Sequence, residues 1–226
     1  MFTKRPPLIS IFQRMNLNVL NKTQVNILNN LGFLKEKSFY LAGGTALALQ
    51  LGHRTSVDFD FYISKSFSSQ DLLQDFNKEF KEVVVRQAVA DTLILTVGNI
   101  DLSFFYYPYI LLKPTVRLNV IDLASIEDIS AMKIAAVVQR GVRRDFIDIY
   151  YLLQKFSLKE IVKFTLKKYP GYQEMLVLRA LIYFKDADSE NLARKIEVLD
   201  KSFSWEKVKD KIFEEVKKYQ LNLIKK

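Results

Sequence analysis

Length and composition indicate a folded protein that does not span a membrane. The 226 residues suffice for one large or two small domains, and a content of 49% hydrophobic and 13% aromatic residues excludes a disordered chain. No apolar run approaches the ~18–20 residues of a membrane span, and the start of the chain lacks the sustained apolar region of a secretory signal. The absence of cysteine excludes disulfides and zinc–thiolate sites, and it is consistent with a cytoplasmic protein.

The charge balance is basic, with 34 lysines and arginines against 25 aspartates and glutamates and a net charge of +9. An excess of this size is compatible with a polyanionic partner such as RNA or DNA. It is equally what a lysine-rich proteome produces by default, so charge alone leaves the partner open.

The N-terminal part is predicted to form an irregular arm, a helix and a strand. Pro6 and Pro7 prevent a regular element in residues 1–15. Apolar residues near helical spacing predict a helix from Asn18 to Gly32. Aromatic and apolar residues then predict a strand over 38–42, which a glycine turn ends.

The next segment combines a glycine turn, a short helix and a second strand. After Gly43 and Gly44, Thr45 is expected to cap a helix of about two turns that ends at Gly52. Alternating apolar and acidic residues predict the strand over 57–63. Backbone N–H groups at a glycine turn that opens a helix form an anion site, which suits a triphosphate.

Asp58 and Asp60 lie two residues apart on this strand. Residues at this spacing project from one face, roughly 6.5–7 Å apart along the chain. Two adjacent carboxylates raise each other's pKa unless positive charge sits between them. Mg²⁺ is the natural occupant, because it binds one or two carboxylates and completes its shell with water and substrate phosphate. A phosphate cradle beside such a pair predicts phosphoryl or nucleotidyl transfer.

These residues carry a resemblance to known proteins. Gly43-Gly44-Thr45 followed by Asp58-x-Asp60 resembles the first motif of the polymerase-β-type nucleotidyltransferases. The fuller pattern resembles the AbiEii/AbiGii abortive-infection toxin family within that superfamily. Its residues are Leu41-Ala-Gly-Gly-Thr-Ala-Leu and His53-Arg54-x-Ser56-x-Asp58-x-Asp60-x-Tyr62.

The resemblance implies a toxin-type nucleotidyltransferase that binds an NTP with Mg²⁺, with two ions in the fullest scheme. It also implies a nucleic-acid acceptor such as the 3′ end of tRNA, and in some systems an antitoxin partner. Arg54 and Ser56 match the family pattern. Arg54 would approach the nucleotide phosphates or brace the two aspartates, and a loop-stabilising role is equally open for it and for His53, the lone histidine.

Residues 68–107 are predicted to form a helix and three strands. Ser68 or Ser69 caps a helix through Phe80, and strands follow over 83–89, 92–97 and 100–107. Asp101 is the only acid on the last of these strands. The resemblance implies a third carboxylate on a neighbouring strand, and Asp101 is in the right place for it. In that role Asp101 would bind a second metal ion. The alternative is that Asp101 is a structural residue at a strand end beside a turn.

The sequence predicts an α+β protein with a domain boundary at about residue 124. Residues 115–123 read as one more strand or an extended connector. Ser125-Ile-Glu127-Asp128 is an N-terminal capping pattern, and the remaining sequence is helical in period. We therefore expect a small nucleotidyltransferase domain with a mixed sheet over 1–124 and a helical bundle over 125–226.

The first two bundle helices, predicted over 128–140 and from Arg143 onward, also resemble the family. Lys133 and Arg143 match its second motif, although Arg140 and Arg144 are not separable from Arg143 by spacing. A basic group here would neutralise charge on the leaving pyrophosphate.

Asp145 and Asp148 share a helix face, where they would orient the basic groups or touch the active site. An ordinary ion-paired helix face is the alternative reading for Lys133 and for both acids.

Four further helices are predicted. Ser157 and Glu160 form a capping box for a helix to Tyr169. The others are expected over 173–184, 191–199 and 205–224.

The function expected from these features is Mg²⁺-dependent transfer of an NMP from an NTP to an acceptor hydroxyl. Two alternatives remain: a non-catalytic member of the same fold that binds nucleotide, RNA or an antitoxin, and a metal-dependent phosphodiesterase.

Overall fold

The computed structural model describes residues 15–189 and 196–224 of the chain. A mixed seven-stranded sheet occupies the N-terminal half, in the order β3-β4-β5-β2-β1-β7-β6. The strands are β1 (Tyr40–Ala42), β2 (Phe59–Ile63), β3 (Val83–Val89), β4 (Thr92–Val97), β5 (Ile100–Tyr106), β6 (Val116–Leu118) and β7 (Ile121–Leu123).

The helices surround this sheet and make up most of the C-terminal half. Those of the N-terminal half are α1 (Lys22–Asn29), α2 (Phe33–Glu36), α3 (Gly43–Leu51) and α4 (Ser69–Glu79). Those of the C-terminal half are α5 (Ile126–Gln139), α6 (Arg143–Leu152), α7 (Leu158–Lys168), α8 (Glu174–Leu181), α9 (Lys185–Ser189) and α10 (Trp205–Ile224). Within the described ranges, no helix combines the length and the apolar character needed to cross a membrane.

The two faces of the sheet differ because apolar and polar residues alternate along its central strands. Phe61 of β2 stacks on Phe104 of β5, and Phe76 of α4 covers that pair. Asp60 and Tyr62 lie on the opposite face of β2, which is only partly covered. The alternation in the sequence therefore decides which face of the sheet carries chemistry.

The register of the central strands fixes which residues are neighbours on the open face. β2 runs parallel to β5, with Phe59 opposite Leu102 and Asp60 opposite Ser103. β1 is antiparallel to β2 and places Ala42 opposite Asp60. The end of β1, where α3 begins, is thus next to the carboxylates of β2.

The hydrophobic core joins the two halves of the chain. A contiguous cluster of buried apolar side chains runs from Val19 to Val216 and includes both sheet and bundle residues. The predicted division into 1–124 and 125–226 coincides with the change from strands to helices at Ser125, whose side chain caps α5. The division itself stays a prediction.

Most predicted elements are confirmed, but the helix expected over 18–32 is interrupted. A 3₁₀ turn over Leu17–Val19 precedes α1, and the chain bends between them. Asn21 and Gln24 form a reciprocal capping box, so α1 begins after Asn21. An Asn followed three residues later by Gln is a recognisable start signal. The helix predicted over 18–32 therefore joins two elements that are separate in the structure.

Two further predictions need correction. Thr45 does not cap α3: the helix begins at Gly43, without a side-chain cap, and Thr45 lies in its first turn. Residues 115–123 form a hairpin of β6 and β7 rather than one strand, because Asn119 adopts a positive φ of 49° at the turn.

The helix predicted over 191–199 falls partly on residues 191–195, outside the described part of the chain. Its remainder, 196–199, is not helical, and Val198 forms an isolated antiparallel bridge with Arg54. The arm predicted for residues 1–15 also lies outside the described residues, except for its last residue.

Candidate active site

A cleft of about 530 Å³ lies between the open face of the sheet and helix α5. Its walls come from the turn that opens α3, from β2 and β5, and from α5 and the segment after α7. The residues on its walls that the sequence singled out are Gly43, Gly44, Thr45, Arg54, Ser56, Asp58, Asp60, Asp101, Lys133, Arg140 and Arg144. Arg143, Asp145 and Asp148 are not among the lining residues.

The carboxylates stand side by side on the sheet. Asp60 is level with Ser103, so Asp58, just before β2, is followed two residues later by Asp60, as Asp101 of β5 is by Ser103. All three acids line the cleft. Burial and then the charge of Asp58 raise the pKa of Asp60, although Lys133 and two arginines of the opposite wall act against this shift. Desolvation is thus the main reason why the charged form of Asp60 is disfavoured, and the neighbouring Asp58 adds to it.

Asp101 is already engaged by neighbouring side chains. Its carboxylate accepts a hydrogen bond of 2.8 Å from the Thr96 hydroxyl and forms an ion pair of 3.1 Å with Arg86. In the described part of the chain, no three acidic, histidine or cysteine side chains are grouped as a metal site. Both contacts of Asp101 use Oδ1, and they hold this acid at the cleft beside Asp58 and Asp60.

Arg86 is a lining residue that the sequence did not indicate. It lies on the edge strand β3 and crosses β4 to reach Asp101. An arginine within a run of valines on a predicted strand is a visible irregularity, but its partner depends on the strand order.

The two glycines of the turn are required by their neighbours. Gly43 has a positive φ of 66°, and a Cβ there would lie 3.0 Å from Oδ2 of Asp60. A Cβ on Gly44 would lie 2.5 Å from Nη2 of Arg54. The turn thus approaches both the acid of the cleft and a buried guanidinium.

Thr45 and Ser56 tie α3 to the strand that carries the acids. Oγ1 of Thr45 lies 2.7 Å from Oγ of Ser56, and the Thr45 hydroxyl donates to the carbonyl oxygen of Asp58. Both side chains are buried. Their contacts hold Asp58 at a fixed distance from the glycine turn.

A buried ionic network lies directly beneath this part of the cleft. Asp148 accepts hydrogen bonds from Arg54 at 2.7 and 2.9 Å and from Nε2 of His53 at 2.7 Å, and Nζ of Lys133 lies 2.7 Å from it. Burial alone would raise the pKa of Asp148, but the charges of Arg54 and Lys133 hold it well below the usual range. The loop before β2 is thereby fixed to α6.

His53 joins this network through its imidazole ring. Burial lowers its pKa against the opposing effect of Asp148, and Nε2 lies 2.7 Å from Oδ1 of Asp148. Within the described residues, Nδ1 has no hydrogen-bond partner.

Asp145 extends the network to the opposite wall of the cleft. It accepts from Lys133 at 2.9 Å and from Arg140 at 2.8 and 3.2 Å. Burial would raise the pKa of Asp145, but the charge of Lys133 and the hydrogen bond from Arg140 lower it. Asp145 and Asp148 thus position basic side chains and do not themselves line the cleft.

The three candidate arginines of this region differ in whether they line the cleft. Arg140 and Arg144 line the cleft. Arg143 points elsewhere: it donates to the carbonyl oxygens of Ala187 and Asp188 and stacks over Trp205 at 5.1 Å. Adjacent residues on a helix face different directions, so spacing in the sequence was insufficient to choose among them.

Comparison with known proteins identifies the family. Residues 30–96 and 106–218 match the family described as nucleotidyl transferase AbiEii toxin, type IV TA system. The chain belongs to this family. The match extends over the sheet and the bundle, which confirms the resemblance seen in the sequence, and the AbiEii-family protein is accordingly a nucleotidyltransferase.

One relative is similar along most of its length. The uncharacterized protein aq_aa25 of Aquifex aeolicus (strain VF5) is 37% identical over 190 residues, which cover 81% of this AbiEii-family chain and 89% of the relative.

Solved structures share the fold at low sequence identity. A candidate nucleotidyltransferase from H. pylori is 15% identical and has a TM-score of 0.62, over 91% of this chain and 98% of the other. MenT4, a nucleotidyltransferase toxin of Mycobacterium tuberculosis H37Rv, is 15% identical with a TM-score of 0.55, over 85% of this chain and 82% of the other. These likenesses confirm the α+β nucleotidyltransferase fold of the AbiEii-family protein.

Proposed function

We propose that this protein transfers an NMP from an NTP to an acceptor hydroxyl in the cleft, with Mg²⁺ as cofactor. The observation that carries the proposal is the arrangement of Asp58 and Asp60 beside the turn that opens α3, opposite the basic wall of α5 and α6. A nucleotidyl transferase needs a cation site, a phosphate site and positive charge for the leaving pyrophosphate. The cleft has side chains suited to each.

Asp58 and Asp60 would hold the metal ion. The fit rests on geometry, because both carboxylates line the cleft and Oδ2 of Asp60 lies against the turn at Gly43, which gives adjacent oxygen ligands of the kind that Mg²⁺ binds. Burial raises the pKa of Asp60, and a bound cation would favour its charged form. Bound Mg²⁺ would neutralise charge on the reacting phosphate and help to align it. Asp101, whose Oδ1 is bound by Thr96 and Arg86, would serve a second ion through its other carboxylate oxygen.

The turn at Gly43, Gly44 and Thr45 would receive the phosphates. The first backbone N–H groups of a helix have no partner within that helix, and the helix dipole favours an anion at this end. Arg140, whose side chain is half exposed, and Arg144 would contact the phosphates from the opposite wall. Lys133 is buried between two carboxylates and would act at short range from the floor of the cleft.

In this reaction the acceptor hydroxyl attacks the α-phosphorus, and the bond from that atom to the bridging oxygen breaks. Pyrophosphate carries away the electron pair, and a carboxylate of the open sheet face takes up the hydroxyl proton. Arg54 is proposed to act indirectly, because Asp148 holds it beneath Gly44. Ser56, bound to Thr45, is likewise proposed to position the turn.

We propose RNA as the acceptor, with the 3′ end of tRNA as the first candidate, and an antitoxin as a protein partner of this cytoplasmic enzyme. The net charge of +9 is compatible with a polyanionic acceptor, and the basic side chains of Arg140 and Arg144 on the cleft wall suit one. Membership in a toxin–antitoxin family supports the protein partner.

The test is incubation of the purified protein with Mg²⁺, total tRNA and each of the four α-³²P-labelled NTPs in turn. Transfer of label to RNA from at least one NTP is expected, and it would name the donor. Label on the protein alone would contradict the RNA acceptor. The absence of label with all four NTPs would contradict this proposal of nucleotidyl transfer.

A further inference from the structure

One end of the cleft is built of aromatic side chains. Along β5, the residues that face the cleft change from Asp101 and Ser103 to Phe105, and Tyr107 continues the series just after the strand. On the adjacent strand, Tyr62 follows Asp60 in the same direction. The cleft therefore runs from an acidic end to an aromatic end.

Four tyrosines at the aromatic end form what we call the tyrosine pocket. Its members are Tyr107, Tyr109, Tyr169 and Tyr172. Ring centroids are 5.0 Å apart for Tyr107 and Tyr109, 4.7 Å for Tyr109 and Tyr169, and 5.3 Å for Tyr169 and Tyr172. The hydroxyl groups of Tyr107 and Tyr169 are hydrogen-bonded to each other.

The tyrosine pocket is held rigidly from behind. Nζ of Lys168 lies 5.5 Å from the centre of the Tyr107 ring and is paired with the buried carboxylate of Asp128 at 2.8 Å. Asp128 also accepts hydrogen bonds from the backbone N–H groups of Leu112 and Lys113. The segment that follows β5 is thereby fixed to the bundle, which keeps the rings in place without a ligand.

Core packing alone does not explain Tyr109. Tyr169 belongs with Ala131 and Ala135 of α5 to a small buried cluster, and Tyr107 and Tyr172 are partly buried against that cluster, whereas Tyr109 belongs to neither set. Tyr109 is 40% exposed although the rings of Tyr107 and Tyr169 pack against it. Alanines on the facing helix leave open space beside the rings, and Gln139 of that helix donates to the Tyr172 hydroxyl at 3.3 Å.

The pocket lies at a suitable distance from the acids. Asp60 is level with Ser103, and Tyr107 is four residues beyond Ser103. At about 3.3 Å per extended residue, this separation is roughly 13 Å. A sugar and its base together can bridge it when the attached phosphate lies beside Asp60.

We propose that the tyrosine pocket binds the nucleobase of the bound NTP by stacking. This inference rests on the proposed function, whose phosphate site it extends. Every base presents a π-face that stacks on an aromatic ring, and tyrosine adds a polar edge. The donor is the better occupant because Gln139, which contacts the pocket, directly precedes Arg140 of the phosphate wall. One molecule would then contact both along α5.

The test compares the binding of each NTP with that of inorganic tripolyphosphate, in Mg²⁺, by titration calorimetry. Tyr109→Ala is expected to weaken the binding of the preferred NTP roughly tenfold, with tripolyphosphate binding unchanged. Tyr109→Phe keeps the ring and is expected to bind like the unaltered protein. Tyr106→Ala is the matched control, since Tyr106, the last residue of β5, is 41% exposed but does not line the cleft.

Several outcomes would overturn the inference. One is an equal loss for NTP and tripolyphosphate in Tyr109→Ala, and another is no loss for either. Unchanged NTP binding with a raised KM for the RNA acceptor would assign the pocket to the acceptor base instead. If the protein bound neither NTP nor tripolyphosphate, both this inference and the proposed function would fail.

A second measurement separates the two proposals. The triphosphate of 2-aminopurine riboside should lose fluorescence on binding, because its base stacks, and regain it in Tyr109→Ala. Quenching without any transfer of label would support the pocket while contradicting the proposed reaction.

Discussion

Replacing Gly44 with alanine tests whether the glycine turn depends on the buried ionic network below it. The added Cβ would lie 2.5 Å from Nη2 of Arg54, so the guanidinium must move by about 0.9 Å to reach ordinary contact at 3.4 Å. Arg54 is 2% exposed, and Asp148 binds it through both Nε and Nη2. The guanidinium therefore cannot move without lengthening a hydrogen bond to a buried carboxylate.

The size of the effect follows from that one hydrogen bond. A hydrogen bond to a charged group contributes about 1.5–3 kcal/mol, so Gly44→Ala should lower the free energy of unfolding by about 2 kcal/mol. For a chain of this size, the corresponding decrease in Tm is roughly 4–8 °C. Gly44 has no positive φ, so backbone strain does not contribute.

Urea unfolding followed by circular dichroism measures the change. Gly171→Ala is the matched control, because a Cβ there meets nothing within 4 Å, and its stability should be close to that of the unaltered protein. In a double-mutant cycle with Arg54→Met, the cost of Gly44→Ala should largely disappear. Equal stability of Gly44→Ala and Gly171→Ala would refute the reasoning, as would an undiminished cost in the Arg54→Met background.

Two further predictions concern the acids. The pKa of Asp60 is raised above 3.8, the ordinary value of an aspartate carboxyl. Above that pH the folded state therefore binds more protons than the unfolded state, and stability falls as pH rises. At neutral pH this group lowers the free energy of unfolding. In EDTA, Asp60→Asn should therefore be more stable than the unaltered protein at pH 7, with a gain that shrinks toward pH 4; a loss of stability at pH 7 would contradict this. Asp148 has a lowered pKa, so its stabilisation is present above about pH 4 and is lost as pH falls through its folded-state value. Asp148→Asn should lower the free energy of unfolding in urea at pH 7 by about 3–5 kcal/mol and should weaken the decrease of stability at acid pH. As a control, Asp122→Asn breaks an exposed pair with Arg117 and should cost about 0–1 kcal/mol. Similar costs for both variants would contradict the role of the buried network.

The fold was largely predictable because the local signals agree with the final structure. Strands β3 and β4 match the predicted bounds, and the Ser157–Glu160 capping box starts α7 as expected. One failure occurs where a polar side chain serves a longer-range contact. Thr45 has the chemistry of a helix cap, but its hydroxyl bonds to the Asp58 carbonyl thirteen residues later.

The cleft was predictable in part. Alternation placed Asp58 and Asp60 on one face, and strand neighbours brought Asp101 beside them. The ion pair of Asp101 with Arg86 depends on the position of β3 at the edge of the sheet, which no local pattern encodes. The choice of Arg140 and Arg144 over Arg143 depends on the rotation of α6 against α9 and Trp205.

The tyrosine pocket shows a similar limit. Tyr107 and Tyr109 come from the segment after β5, and Tyr169 and Tyr172 come from the segment after α7. The sequence separates them by about sixty residues, and only the packing of α7 on α5 brings them together.

The most direct test of the account measures transfer of label from the preferred α-³²P NTP to tRNA with the unaltered protein, Asp60→Asn and Asp210→Asn. Asp210 is an exposed acid of α10, away from the cleft, and serves as the charge-matched control. The account predicts normal transfer with Asp210→Asn and a loss of at least a hundredfold, about 2.7 kcal/mol of activation free energy, with Asp60→Asn. Undiminished transfer by Asp60→Asn would contradict the assignment of this cleft as the catalytic site.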